Sequence, residues 1–181
     1  MGTAEYGLQQ INVSEELLPL LASEVRASED EYLTQIFTLY TPEKQWEGPF
    51  QYPVREAVVT AVYGDSRSYN GGPVEIFHTG IDFGGTDGTP IFAPARGTVI
   101  FTGTLNLRGQ TLIVDHGWGV MTAYYHLSEI LVQVGDVVLP GDQVMARGGS
   151  TGLSTGPHLH WDVRVNDAAV NPVRWVESSW P

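Results

Sequence analysis

The chain has 181 residues, no cysteine, and 21 acidic against 9 basic side chains, for a formal charge of -12. Disulfides and thiolate metal ligands are thereby excluded, and phosphate-led binding of nucleic acid or docking on anionic lipid is disfavoured for want of a basic face. The length suits one sizeable domain with a small appendage. No run of 18 apolar residues marks a transmembrane helix, and Met1-Gly2-Thr3-Ala4-Glu5 lacks the basic and apolar regions of a signal peptide. On these grounds the chain is either cytosolic or a mature fragment behind an added start methionine.

In chain order, residues 14–40 read as helical. Leu17, Leu21 and Val25 mark a first stretch, with Pro19 placed in its first turn. Ser28-Glu29-Asp30-Glu31 fits a capping box, followed by Leu33, Ile36, Phe37 and Tyr40 at helical spacing. Residues 41–50 form a connector broken by Pro42, Gly48 and Pro49. Residues 1–50 are thus expected to be a helical appendage that packs without contributing to a site. Residues 51–181 form the second domain.

From residue 51 short apolar runs alternate with Gly, Pro, Asn and Asp. The candidate strands are residues 57–62, 89–93, 97–102, 110–115, 120–125, 143–147 and 158–165. No long amphipathic helix intervenes, so the expected class is mainly β, a small antiparallel sheet or barrel-like domain with an open groove. Val134-Gly135-Asp136 and Gly141-Asp142 add two tight turns in a compact corner.

Four of the five histidines fall in three motifs: His78-Thr79-Gly80-Ile81-Asp82, Tyr125-His126-Leu127 and His158-Leu159-His160. Each pattern alone is common by chance; the set is not. Residues i and i+2 of a strand share a face, so His158 and His160 project side by side. Two imidazoles and a carboxylate make a zinc site with a net positive charge and an open position, the donor count of a catalytic rather than a structural zinc. Such an ion lowers the pKa of bound water, and hydrolysis then has work for the two remaining histidines as proton carriers. Strand geometry leaves open which member of the His-x-His pair binds metal.

Taken together the motifs resemble those of the lysostaphin/LytM-type zinc metalloendopeptidases. The likeness extends through Gly88-Thr89-Pro90, Gly97-Thr98-Val99, Asp115-His116-Gly117 and Ser154-Thr155-Gly156-Pro157-His158-Leu159-His160, and covers about residues 55–172. It implies that His78, Asp82 and His160 bind one zinc and that His126 and His158 are the catalytic pair. It also implies a groove walled by residues 64–76, the loop before Asp115, and residues 148–157. The implied substrate is a peptide bond in peptidoglycan stems or cross-bridges. The implied setting is outside the cytoplasm (periplasm, cell envelope or secreted), with an export signal absent from this chain. Non-catalytic relatives that activate a cell-wall amidase lose such positions; here all five are present. Tyr69 and Asn70, in the first wall, are candidates to touch substrate, and Arg67 to brace it. His116 reads as a structural histidine. Asp162 is either a partner of a ligand imidazole or a surface acid. A Walker lysine and a carrier lysine motif are both missing, which excludes nucleotide-binding and swinging-arm readings.

Overall fold

The computed structural model describes residues 6–56, 58–74 and 76–180; Met1–Glu5, Ala57 of the first predicted strand, Glu75 and Pro181 lie outside the described residues. In order, the elements are β1 (Leu8–Ile11), a 3-10 helix (Glu15–Leu21), α1 (Ser23–Phe37), β2 (Val58–Ala61), β3 (Ser66–Tyr69), β4 (Ile76–Phe77) and β5 (Ile81–Gly84). They continue with β6 (Pro90–Phe92), β7 (Gly97–Leu105), β8 (Gly109–Gly117), β9 (Val120–Ile130), β10 (Val137–Val138), β11 (Val144–Gly148), β12 (His158–Val165), β13 (Ala168–Val170) and α2 (Pro172–Glu177).

A ten-stranded sheet runs β10-β7-β8-β9-β12-β5-β2, with β6, β11 and β13 attached off this path, and a small sheet runs β1-β3-β4. Every pairing in the large sheet is antiparallel. The expected mainly β, antiparallel fold with a short helical lead is what forms.

Strand alternation gives the central sheet two different faces. On β12, Leu159, Trp161 and Val163 enter the main core, as do Ile81 and Phe83 of β5 and Tyr124 of β9. The intervening residues, His158, His160 and Asp162 on β12 and Asp82 on β5, take the opposite face. Part of that face is covered by α1, whose Leu33 and Phe37 pack with Ile113, Met121, Ala123 and Tyr125 in a second cluster. Trp46 and Phe50 of the connector are buried in the main core beside Trp175 of α2.

Three local expectations are corrected. Ser28 caps nothing: α1 begins at Ser23 with Ala22 as N-cap, which places Ser28 inside the helix. The carbonyl of Ala22 already accepts from the amides of Val25 and Arg26, so the helix is nucleated upstream by the 3-10 turn. Pro19 lies inside that 3-10 helix rather than in an opening turn. The first groove wall is also more ordered than a loop, since it carries β3 and β4.

Candidate metal centre and active site

Sheet register assembles the site. His160 on β12 sits opposite Asp82 on β5 and Tyr125 on β9. Directly opposed residues of antiparallel strands share a face, so Asp82 and His160 meet. His78 arrives from the segment entering β5, and Gly80 lets that segment cross β12 closely: a Cβ there would lie 2.3 Å from the Trp161 carbonyl and 2.9 Å from His160 Nε2.

Three donor atoms converge. His78 Nε2, His160 Nδ1 and Asp82 Oδ1 stand 2.8–3.0 Å from one another, and this group could hold a metal ion. The hydrogen bonds around them assign the tautomers. His78 Nδ1 donates to the Val62 carbonyl at 2.8 Å, and His160 Nε2 donates to Asp162 Oδ1 at 2.7 Å. Both ring protons are therefore committed outward, and three lone pairs face one point. Without a cation that triangle is repulsive unless a proton occupies it. Burial works to lower the His160 pKa, but Asp162 and Asp82 together outweigh it and hold it at about 9. The Asp82 carboxyl is held well below the usual carboxylate range: burial opposes this, and the charge and hydrogen bonds of His160 and His78 prevail. Two imidazole nitrogens and a carboxylate oxygen suit a zinc-like ion at about 2.0–2.2 Å, so the residues present fit the metal.

The surroundings fix these donors. Asp162 is fully buried and accepts from His160, from Thr79 Oγ1 at 3.0 Å and from Arg164 Nη2 at 3.1 Å. It is thus no surface acid. Arg67 Nη2 donates to Asp82 Oδ2 at 2.5 Å, and Arg67 Nε donates to Gln9 Oε1 at 3.0 Å. Gln9 lies opposite Arg67 in the parallel β1–β3 pair. Gln9 was invisible in the sequence, where nothing distinguishes it from neighbouring polar residues.

His126 reaches the same face through a bulge. Along β9, Tyr124 faces the main core and Tyr125 the second cluster, yet Leu127 is again in the main core. His126 is the extra residue. Its φ is +60°, and the register with β8 slips between Gln110 and Leu112. The ring of His126 lies 4.7 Å from that of His158 and 6.4 Å from that of His160, centroid to centroid. His126 Nδ1 donates to the Thr151 carbonyl and His158 Nδ1 to the Gly156 carbonyl, each at 2.8 Å. Each keeps Nε2 without a hydrogen-bond partner among the described residues. Burial, reinforced for His126 by the neighbouring His158, pushes the His126 pKa down to about 3. Burial likewise lowers that of His158, against the pull of Asp82. Both are neutral imidazoles with a free lone pair at physiological pH.

Tyr69 lines the groove on both sides of this centre. Asn70 has another occupation: its side chain accepts from the Val13 amide at 2.9 Å and donates to the Val13 carbonyl at 3.3 Å, fastening the N-terminal segment. His116 lies apart, its Nδ1 donating to the Arg96 carbonyl and its Nε2 accepting from Thr122 Oγ1.

A small antiparallel sheet with a two-histidine, one-aspartate donor triangle beside two neutral histidines defines a metallopeptidase-like class. The model of peptidase family M23 matches residues 76–172, over half of the sequence, and the chain belongs to that family. It is 45% identical over 96 residues to the DD-carboxypeptidase/endopeptidase Mpg of Neisseria meningitidis, covering 53% of this chain and 22% of that protein. A zinc-containing peptidase from Vibrio cholerae shares the fold with a TM-score of 0.63 and 34% identity, over 70% of this chain and 40% of that one. The catalytic domain of lysostaphin from Staphylococcus simulans does so at 0.59 and 33%, over 67% and 93%. The chain spans about a quarter of the length of the curated relatives it matches. Among the described residues no helix is long and apolar enough to cross a membrane.

Proposed function

We propose that the chain is a zinc-dependent endopeptidase that hydrolyses peptide bonds in peptidoglycan stem peptides or cross-bridges, outside the cytoplasm. The observation that carries this reading is the convergence of three inward-facing lone pairs, their ring protons held outward, beside two neutral imidazoles. In it, His78 Nε2, Asp82 Oδ1 and His160 Nδ1 hold one zinc. When bound there, the ion supplies a Lewis acid for the scissile carbonyl and makes water acidic enough to attack near neutral pH.

The chain's own residues do the rest. His126 and His158 present Nε2 lone pairs to the groove, so the proton of the attacking water has an acceptor. The imidazolium so formed returns that proton to the leaving nitrogen. The Thr151 and Gly156 carbonyls, bound to the two Nδ1–H groups, keep both rings aimed and stabilise the transient charge. Asp162 and Val62 hold the ligand rings in place. Tyr69, on both sides of the centre, contacts the bound peptide, while Asn70 acts on it only through the segment it fastens. The relatives support the substrate class, since the Neisseria protein is named for action on DD-peptides.

Incubation with purified peptidoglycan, followed by mass analysis of released fragments, tests the reading and identifies the bond. New amine and carboxyl termini within the peptide portion are expected. Intact peptides after prolonged incubation with zinc-loaded protein overturn it.

A further inference from the structure

The groove has chemically different halves on either side of the histidines. On the α1 side is a cleft of about 470 Å³ whose lining includes Arg26, Arg67, Arg108 and Arg164. On the β1 side is one of about 520 Å³, lined by amides and hydroxyls such as Gln9, Gln10, Thr60 and Ser154, where Arg67 is the sole cationic side chain among the described residues. Acids outnumber cations 21 to 9 in the whole chain. Along the α1-side lining the ratio reverses: four arginines face Asp30 and Asp167. Nearly half of the protein's cations are gathered beside its candidate reaction centre.

The arginines are not equally committed. Arg164 is held by Asp162, and Arg67 by Asp82 and Gln9. Arg108 divides itself between Glu29, which is buried, and Asp30, whose side chain is 52% exposed. The Arg108 side chain is only 14% exposed and keeps Glu29, whereas the Asp30 carboxylate is half in water and is readily re-solvated, so an incoming carboxylate can take its place on that arm of the guanidinium. Arg26 is half-buried and makes no ion pair among the described residues. Within the lining, Tyr125 is 3% exposed, lies under the Arg108 guanidinium and has a hydroxyl with no hydrogen-bond partner among the described residues. Leu33, Phe37 and Leu107 add apolar patches to the lining, which locally strengthen charge pairing inside the cleft.

Resting on the peptidase reading, we propose that the α1-side cleft is the subsite for a substrate residue bearing a free carboxylate, with Arg26 and Arg108 as its counter-ions. The β1-side half takes an uncharged, hydrogen-bonding stretch of the same peptide. The asymmetry fixes which way the peptide lies across His126 and His158. A guanidinium fork matches a carboxylate in two parallel hydrogen bonds.

The test uses two synthetic peptidoglycan-type peptides that differ only in one group, a free carboxylate or its carboxamide on one side of the scissile bond. Binding is measured by calorimetry on the zinc-loaded His126→Ala protein, so that turnover does not interfere, and cleavage is measured on wild type. The free acid is expected to bind at least tenfold tighter than the amide, and Arg26→Gln in the same background is expected to bring that ratio close to one. Equal binding of the two peptides, or a preference that survives Arg26→Gln, overturns the subsite. Wild type that cuts both peptides equally overturns the subsite while sparing the peptidase reading. Protein that neither binds nor cuts either peptide overturns both.

Discussion

Arg67 and Asp82 share an ion pair that divides the work of one carboxylate: Oδ2 is taken by the guanidinium at 2.5 Å, and Oδ1 is left facing His78 and His160. The pair is largely buried, with side-chain exposures of 15% and 9%. Arg67→Ala frees the carboxylate to rotate, and metal affinity is expected to fall roughly 10- to 100-fold, as for other partners of a ligand. Chelator competition measures it. A tighter site in Arg67→Ala would instead show that the guanidinium's repulsion of the ion outweighs its orienting effect.

His126 and Asp82 should separate chemistry from metal holding. His126→Ala is expected to retain one zinc per chain while hydrolysis falls by at least ~10²-fold. Asp82→Ala should lose the metal itself. Metal analysis of the purified variants beside a peptide-cleavage assay gives both readings; a His126→Ala protein that cuts at the wild-type rate removes that residue from the mechanism.

His116 makes stability fall with acidity. Burial pushes its pKa down to about 4, against the Arg96 carbonyl and the Asp115 charge, which raise it. In the unfolded chain it titrates near ~6.5. Between those values the unfolded chain binds a proton that the folded chain refuses, so stability drops as the pH falls through that window, by up to ~1.4 kcal/mol per pH unit. Urea melts at pH 7 and pH 5 should show a smaller loss in His116→Gln than in wild type. Identical losses would place the acid sensitivity elsewhere.

Phe37 ties α1 to the sheet. It is 1% exposed, packs within the second cluster and lies beneath the Arg164 guanidinium at 4.8 Å. Phe37→Ala is expected to cost ~3–5 kcal/mol, seen as a lowered denaturation midpoint. A cost below about 1 kcal/mol would mean that α1 is a loosely attached cover.

The sequence made some of this geometry visible and hid the rest for physical reasons. His158–Val165 is the strand its pattern predicts, because alternation with Leu159, Trp161 and Val163 is unbroken. The common face of His158 and His160 follows from that alternation. His126 is different: period-two reasoning puts it opposite Tyr125, and only a bulge with a left-handed residue returns it to the site face. β1 and β3 were missed because Leu8–Ile11 and Ser66–Tyr69 are short and largely polar, their pairing sustained by backbone bonds rather than a hydrophobic stripe. The capping box at Ser28 matched a local rule that the upstream 3-10 turn overrides.

Strand β12 is made late and placed centrally. It slots between β5 and β9, although some seventy residues of chain separate it from β5. Until it is synthesised, the facing edges of β5 and β9 have no mate, and unpaired edges invite aggregation. The same strand brings His160, so a nascent chain carrying only His78 and Asp82 offers two donors and gives a passing ion little grip. The donor triangle and the last gap in the sheet are therefore closed by one event, so a half-made chain carries neither the complete sheet nor the complete donor set.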